Sequence, residues 1–326
     1  MTVSIIIAVK TWQKNLEECV AKCAQLDYPD FEIIVLPDFD VKGQQKQGLS
    51  PKGTVPVFVI PSGPINPAAK RDMALKHAKG EIIAFIDDDA YPEPDWLKNA
   101  VINFSDPGVA AVGGPAVTPD SDSLTQKASG AVYASFLVGG NYTYRYIPGK
   151  RMEVDDFPSC NFIVRKSVML ELGGFNTSFW PGEDTKLCLD ITKVLNKKII
   201  YDPKVLVYHH RRTLFGAHLK QIASYGLHRG YFAKRFPQTS LRLPYFLPSF
   251  LVLFVAAGAF LSIFSIQLGA LYGFTLSLYL LLVFIFSFSR DLSLTPLVFL
   301  GIISTHFIYG IYFLKGLLLN KLKEEK

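Results

Sequence analysis

A buried strand that ends in three consecutive acids is the feature that most restricts the fold of this chain. Ile82–Ile86 is a short apolar run, typical of a strand covered on both faces, and Asp87, Asp88 and Asp89 follow it directly. Adjacent carboxylates repel one another, so three acids at the end of a buried strand need a nearby cation. The alternative is that they form an acidic turn at the surface. Ligands of open α/β sheets bind at the carboxyl ends of the strands, and Mg²⁺ or Mn²⁺ bind carboxylate and phosphate oxygens. The pattern predicts a metal–diphosphate site, with the surface turn as the alternative.

The first 235 residues have the pattern of an α/β domain. A strand, a helix and a second strand occupy fewer than forty residues, which is the length of a right-handed βαβ unit. Strands are predicted at 3–9, 31–36, 55–60, 82–86, 109–117, 159–165 and within 199–208, and helices at 15–26, 67–79, 95–103, 166–172 and 185–195. Residues 44–53 are predicted to form a loop and residues 118–156 to be irregular. The tyrosine-rich loop at 142–146 is equally typical of sugar stacking and of packing at a domain edge.

The C-terminal part of the chain is typical of a membrane protein. Residues 244–289 contain no Lys, Arg, Asp or Glu, and about 20 apolar residues suffice to cross a bilayer. In a third apolar tract, 296–319, His306 and Lys315 are the only histidine and the only charged residue. His306 is typical of either a polar pathway or an interhelical hydrogen bond. We predict two or three spans within 244–319. Three spans would place the charged tail 320–326 on the side of the membrane opposite the preceding domain, and the positive-inside rule disfavours that position for its lysines.

The stretch before the apolar tracts is strongly basic. Residues 193–242 contain eleven Lys or Arg against a single acid, Asp202. Such a run beside an apolar tract is typical of a surface that faces anionic lipid headgroups. The basic amphipathic pattern of 214–235 predicts a helix in the membrane interface. Nucleic-acid binding would explain the charge but not the apolar tracts, so we expect a membrane partner and no nucleic acid.

Two further features bound the compartment and the chemistry. The N-terminal residues carry no charged leader and too short an apolar run for a signal peptide, and the four cysteines fit free thiols. We therefore expect an integral protein of the cell membrane whose soluble domain is cytoplasmic. No glycine-rich phosphate loop follows the first strand, which disfavours a Rossmann dehydrogenase or a nucleotidyltransferase.

Several motifs in order along residues 1–235 resemble the family-2 inverting glycosyltransferases with the GT-A fold. They are VSIIIAV, YPDFEIIVLPD, the helix with Lys70-Arg71-Asp72, GEIIAFIDDDA, GGFN followed by GEDTKL, and YHHRR. The resemblance implies a mixed, mainly parallel sheet with flanking helices, followed by a C-terminal membrane helical segment. It also implies a nucleotide-sugar donor, a divalent cation (Mn²⁺ or Mg²⁺), and a lipid-linked or glycan acceptor.

The resemblance assigns roles to individual residues. Asp184 would be the general base, Asp89 would bind the metal together with His209, and Asp38 would contact the nucleobase or ribose. The other residues expected to contribute to donor binding are Arg71, Asp87 and Asp88. Residues expected to contribute more peripherally are Glu183, His210, Arg211 and Arg212. Either His209 or His210 fits the metal-side histidine, and simple capping of the helix is the alternative role for the Glu183-Asp184 pair.

The residue types support the same chemistry. A nucleoside diphosphate leaves readily only when a cation and basic groups neutralise its developing charge, and an acceptor hydroxyl needs a carboxylate to take its proton. One base and one attack predict inversion, since a covalent intermediate would need a second, nucleophilic carboxylate.

The chain departs from the family pattern in three places. Pro37 stands where many relatives have a second acid before Asp38, and Arg71 is followed by Asp72 instead of Asn. Residues 221–225 read QIASY, so the Gln-x-x-Arg-Trp signature of processive synthases is missing. Transfer of a single sugar is therefore favoured over a processive polysaccharide synthase. A membrane scaffold with an inactive GT-A domain is the alternative from another class.

Overall fold

The computed structural model describes residues 1–40 and 55–325, so the loop predicted at 44–53 lies outside the described residues. The described chain separates into two compact units. The first comprises Met1–Val117 and Tyr144–His210, and the second comprises Thr118–Thr143 and Arg211–Lys326. The domain limits expected from the sequence, 1–235, 244–319 and 320–326, remain predictions.

The first unit is built on a mixed sheet. Its strands are β1 (Val3–Ala8), β2 (Phe31–Leu36), β3 (Val57–Val59), β4 (Ile82–Ile86), β5 (Ala90–Pro92), β6 (Val109–Gly113), β7 (Ala116–Val117), β8 (Met152–Val154), β9 (Asn161–Arg165), β10 (Lys198–Tyr201) and β11 (Val207–His209). Among the described residues, eight strands form one sheet in the order β3-β2-β1-β4-β9-β6-β10-β8. Strands β3, β2, β1 and β4 are parallel, whereas β9 is antiparallel to both β4 and β6. A smaller sheet has the order β5-β11-β7.

Helices cover both faces of the large sheet. The helices of the first unit are α1 (Lys14–Cys23), α2 (Pro67–Leu75) and α3 (Trp96–Ile102). Next along the chain, α4 (Leu124–Ala134) and α5 (Phe136–Gly139) belong to the second unit. The helices α6 (Lys166–Leu172) and α7 (Glu183–Leu189) belong to the first unit again. Along β1, Ile5 and Ile7 belong to one apolar core and Ile6 to the other. Burial on both faces explains why these strands are continuously apolar instead of alternating.

The remaining helices belong to the second unit. They are α8 (Gly216–Arg235), α9 (Pro237–Ser240), α10 (Leu243–Leu261), α11 (Ile266–Ser287) and α12 (Leu294–Leu318). Short 3₁₀ turns occupy Asn103–Ser105, Gly140–Arg145 and Lys323–Glu325, and a π-helical turn, Asp190–Val194, extends α7. Helices α10, α11 and α12 are each long and apolar enough to cross a bilayer.

The structure corrects three predictions about elements. The stretch 118–156 is not irregular, because α4, α5 and β8 lie in it. The strand predicted at 109–117 is two strands, β6 and β7, which belong to different sheets. The final strand predicted within 199–208 is likewise divided between β10 and β11.

Candidate active site

The end of β4 and the end of β11 bring two acids and a histidine together. Asp87 and Asp89 lie between β4 and β5, and β5 pairs antiparallel with β11 so that His209 is opposite Ala90. This register places His209 Nε2 3.0 Å from Asp89 Oδ1. One ligand atom from each of Asp87, Asp89 and His209 lies within 4.8 Å of the others. We call these three residues the acidic cluster.

The acidic cluster fits a divalent cation. Its two carboxylates are each 33% exposed, and carboxylate oxygens with an imidazole form a ligand set that suits Mn²⁺ or Mg²⁺. Asp88 lies beside the cluster and accepts a hydrogen bond from Gln13 Nε2. Burial, together with the charges of Asp89 and Asp87, raises the pKa of Asp88 to about 7. The negative charge concentrated here would be relieved by a bound cation.

The second histidine lies on the other side of the strand. His210 Nε2 is 3.0 Å from Glu18 Oε2, and its ring centroid is 5.7 Å from that of Tyr91. The backbone of His210 also contacts the acid segment, where its N–H donates to the carbonyl oxygen of Asp89 at 2.9 Å. Of the two adjacent histidines, the structure thus brings the His209 ring to the acidic cluster and the His210 ring to α1.

Arg71 links the acidic cluster to helix α7. Its guanidinium is buried and lies 2.9 Å from both Asp87 Oδ1 and Glu183 Oε1. The rings of Phe85 and Phe175 lie 5.8 and 5.7 Å from it. Burial lowers the pKa of Arg71, but the nearby carboxylates outweigh that effect and hold the pKa above its usual value. The guanidinium is therefore a fixed positive charge between two acids from distant parts of the chain.

The two acids at the start of α7 have different surroundings. Glu183 is buried, and its oxygens accept from Arg71, from the Gly182 N–H at 3.1 Å and from Ser159 Oγ at 3.5 Å. Asp184 is only partly buried and accepts from the Thr185 N–H at 2.8 Å and from the Ser159 N–H at 3.4 Å. The N-cap position belongs to Gly182, and Asp184 accepts a first-turn N–H of the helix from the position after the first helical residue. Asp184 is the member of the pair with solvent access.

Asp38, at the end of β2, is buried and paired with Lys70 of α2. Lys70 Nζ also donates to the carbonyl oxygens of Val9 and Leu36, the latter at 3.3 Å. The pair joins the ends of β1 and β2 to the first turn of α2. The sequence motif contained Lys70, but its spacing did not reveal this pairing.

Asp72 stands where the family pattern has asparagine and has a structural role. Its Oδ1 accepts the N–H of Phe175 at 2.8 Å, and burial raises the pKa of this carboxyl. A Cβ at Gly174 would clash with the Asp72 carboxyl group, so the two residues fit closely. Asp72 therefore fixes the GGFN turn that also supplies Phe175 to the Arg71 site.

Sequence reasoning missed a buried polar centre around Asn161. Its Nδ2 donates to the carbonyl oxygens of Gly114 at 2.8 Å and Val205 at 2.7 Å, and its Oδ1 accepts from Trp96 Nε1 at 2.9 Å. These bonds hold β9 against the segments that lead into β7 and β11. No sequence signal identified Asn161, because its partners depend on a strand order that the spacing does not give.

The two arginines of the YHHRR motif belong to the second unit. The Arg211 N–H donates to Asp122 Oδ2 at 3.1 Å, and Arg211 Nε donates to Thr118 Oγ1 at 3.2 Å. Arg211 is buried, whereas Arg212 is exposed. These contacts attach the start of the second segment of this unit to the turn before α4.

Comparisons with known proteins agree with this architecture. A mannosyltransferase from Pyrobaculum calidifontis, solved with GDP-Man and Mn²⁺, superimposes with a TM-score of 0.67 at 19% identity, over 98% of this chain and 88% of that one. The Methanococcus voltae dolichyl N-acetyl-alpha-D-glucosaminyl phosphate 3-beta-D-2,3-diacetamido-2,3-dideoxy-beta-D-glucuronosyltransferase is 25% identical over 245 residues, which are 70% of this chain and 73% of that protein. The mixed sheet with flanking helices is thus a GT-A-like fold.

The match to a second relative spans a smaller share of that protein. The Mycobacterium tuberculosis pre-mycofactocin glycosyltransferase is 29% identical over 177 residues, which are 54% of this chain but only 37% of that protein. The family described as Glycosyl transferase family 2 matches residues 4–173, more than half of the chain. The matched range contains the acidic segment after β4 and both basic residues of α2. On the extent of this match, the chain belongs to glycosyl transferase family 2.

Proposed function

We propose that this chain transfers one sugar, with inversion, from a nucleotide-sugar to a lipid-linked acceptor at the cytoplasmic face of the cell membrane. The observation that carries the proposal is the link through Arg71, which ties the acidic cluster to the helix that presents Asp184. A cation site and a partly exposed carboxylate on one scaffold suit a reaction that needs both a stabilised leaving group and a base.

The acidic cluster would hold the divalent cation. Asp89 and His209 would be direct ligands, with Asp87 beside them, and Asp88 would contribute to the donor side of the site. When bound, Mn²⁺ or Mg²⁺ would neutralise the charge that develops on the departing diphosphate. Asp87 is also held by Arg71, so its position is set by the protein before any ligand binds.

Asp184 would be the general base. The acceptor hydroxyl oxygen attacks the anomeric carbon, the bond from that carbon to the diphosphate oxygen breaks, and the hydroxyl proton passes to the Asp184 carboxylate. Glu183 is a poor alternative base because its oxygens are buried and already accept from Arg71 and Gly182. With a single accessible carboxylate in this pair, one displacement and inversion are favoured.

The acceptor class is inferred from the membrane segment and from a relative. Three apolar helices follow the family match, and the name of the Methanococcus voltae relative describes transfer to a dolichyl phosphate-linked sugar. An enzyme anchored in the membrane would meet a lipid-linked acceptor of this kind at the bilayer surface. Asp38, held by Lys70, remains the proposed contact to the donor nucleoside.

The proposal is tested by ligand stabilisation of the full-length, detergent-purified protein. Nucleotide-sugars are screened by thermal unfolding with and without Mn²⁺, and the matching donor is then assayed for transfer to polyprenyl phosphate sugars. A donor at about 100 times its Kd should add about 2.7 kcal/mol to the free energy of unfolding. Asp89→Ala is the control and should lose the Mn²⁺-dependent part of the shift. If no nucleotide-sugar stabilises the protein with Mn²⁺ present, the proposed function is wrong.

A further inference from the structure

The membrane segment begins with a helical hairpin whose closed end is well defined. Helices α10 and α11 are joined by residues 262–265, and near this turn the Tyr272 ring lies 5.5 Å from that of Phe254. A Cβ at Gly258 would also clash with the Tyr272 ring, so the helices are in close contact there. The start of α10 and the end of α11 therefore form the open end of the hairpin.

Helix α12 contacts both arms of the hairpin near that open end. The Phe299 ring lies 6.4 Å from Phe284 of α11, and Phe284 is three residues before the end of that helix. Further along α12, the Phe313 ring lies 4.8 Å from Phe246 of α10, three residues after that helix begins. Ser249 Oγ also donates to the carbonyl oxygen of Gly310 at 3.0 Å.

These contacts are incompatible with α12 running along the hairpin to its closed end. Phe299 and Phe313 are fourteen residues apart, or about 21 Å along a helix axis. A third span antiparallel to α11 that starts with Phe299 beside Phe284 would bring Phe313 near residue 270, close to the turn. Phe313 instead lies beside Phe246, at the open end. Helix α12 therefore crosses the open end of the hairpin from one arm to the other.

The basic helix α8 runs beside α12 in the same direction. His218 Nε2 is 2.9 Å from Thr305 Oγ1, and a Cβ at Gly230 would clash with the carbonyl oxygen of Phe313. The partners follow one another in order along both helices, which makes the pair parallel. If α12 spanned the bilayer, it would draw the charged side chains of α8 into the hydrocarbon, where lysine and arginine are unfavourable. The charged residues concerned are Lys220, Arg229, Lys234 and Arg235.

The residues after α12 return to α8. Lys234 Nζ donates to the carbonyl oxygen of Leu319 at 2.6 Å, and His228 Nε2 lies 2.6 Å from Glu324 Oε1. Leu322 between them is buried. Since α8 precedes the hairpin and the tail follows it, their contact places both at the same side of any bilayer that the hairpin crosses.

We propose that only α10 and α11 span the membrane, and that α12 lies with α8 in the plane of the interface, at the bilayer face where the first unit ends and α8 begins. The bilayer surface is the partner of this helix pair. Large apolar side chains of α12, including Leu300 and Ile311, are exposed, as are those of the hairpin. Of the 18 most apolar residues of the third apolar helix, 39% are buried, against 6% in each of α10 and α11. Lysines and arginines of α8 suit anionic headgroups at the same level.

This topology is independent of the transferase activity and is tested by labelling from defined sides. Single cysteines are introduced in a Cys160→Ser background, because the other native cysteines are buried. Lys98→Cys marks the first unit, Ile263→Cys marks the hairpin turn and Lys321→Cys marks the tail. In sealed vesicles holding the full-length protein, a membrane-impermeant maleimide should label Lys98→Cys and Lys321→Cys from one side and Ile263→Cys from the other. Labelling of the tail from the side of Ile263→Cys would establish three spans and overturn the proposal.

A depth measurement tests the in-plane helix directly. Spin labels at Leu300→Cys and Ile311→Cys occupy exposed positions eleven residues apart on one face of α12. The matched control is Phe274→Cys with Ile285→Cys, also exposed and eleven residues apart, on α11. The α11 pair should differ in depth by up to about 16 Å, while the α12 pair should lie at nearly equal depth. A depth difference in α12 as large as that in α11 would refute the in-plane assignment.

Discussion

Replacing Asp184 by asparagine separates a catalytic role from a structural one. The side chain keeps its size and can still accept the Thr185 N–H, which lies 2.8 Å from Oδ1. It loses a negative charge in the first turn of α7, which is worth about 0.3–1 kcal/mol, and it loses the 3.4 Å hydrogen bond from the Ser159 N–H, because the amide nitrogen in place of Oδ2 cannot accept. We therefore expect the free energy of unfolding to fall by about 1 kcal/mol, or roughly 2–4 °C in Tm.

The expected loss of activity is much larger. Asparagine cannot accept the hydroxyl proton, so the transfer rate should fall by about two to four orders of magnitude. That corresponds to roughly 3–5 kcal/mol in the activation free energy, several times the structural cost. Donor affinity should persist because the proposed donor contacts and the acidic cluster are unchanged.

The assay is single-turnover transfer beside donor affinity and Tm, with Asp190→Asn as the matched control. Asp190 also bears a carboxylate in this helical stretch, but it pairs with Lys186. The control should therefore retain its transfer rate with a similar small change in stability. An Asp184→Asn protein that folds, binds donor and transfers at nearly the wild-type rate would remove Asp184 from the mechanism.

Three further predictions concern the metal, the buried ion pair and a buried histidine. EDTA should abolish transfer and Mn²⁺ or Mg²⁺ should restore it, while Asp89→Ala stays inactive at any metal concentration; full activity in EDTA would contradict the metal role. Glu183→Gln should destabilise the protein by about 3 kcal/mol, measured by denaturant unfolding, because it breaks a buried pair with Arg71; an unchanged midpoint would show that the pair is dispensable. Burial lowers the pKa of His218 to about 4, so native His218 stays neutral while the unfolded chain takes up a proton below about pH 6.5. Stability is thus fully present above that pH and is lost as pH falls, by about 2 kcal/mol at pH 5; His218→Gln should lose this part of the pH dependence, and an identical Tm–pH profile would argue against it.

The sequence predicted the elements that are defined by local pattern. The strands β2 and β4 and the helix α6 have the predicted bounds, because each is delimited by an apolar run and by adjacent turn residues. The acidic segment follows from β4 alone. Strand ends in a parallel sheet meet at one edge, so the position of its carboxylates could be expected before the partners were known.

Elements that depend on tertiary pairing could not be predicted in the same way. Helix α4 contains Ser129 and Gly130, which weaken the helical signal, and its faces are set by packing within the second unit. A Cβ at Gly130 would clash with Thr118, so this glycine reflects close packing and not a loop. The division of 109–117 between two sheets also depends on Asn161, whose bonds reach segments far away in sequence.

Adjacent residues of the same type show where sequence reasoning reaches its limit. His209 and His210 could not be distinguished by composition, but neighbouring side chains of an extended segment point to opposite sides. The pairing of His209 with Ala90 sends one ring to Asp89 and the other to Glu18. Shifting this register by one residue would exchange the two rings, so the choice of metal-side histidine is a property of the small sheet.

The same reasoning applies to the two acids of α7. Successive residues of a helix point about 100° apart, so Glu183 and Asp184 have different surroundings. The buried guanidinium takes Glu183, and Asp184 is left toward solvent. In the proposed mechanism, Arg71 would thereby determine which carboxylate meets the acceptor. Exchanging the pair, Glu183→Asp with Asp184→Glu, should therefore lose activity although both carboxylates remain, because the shorter aspartate at 183 would leave Arg71 poorly paired. A double variant that retained the wild-type Tm and transfer rate would contradict this prediction. It would show that a carboxylate of either length suffices at each position and that the pairing of Arg71 with Glu183 is dispensable.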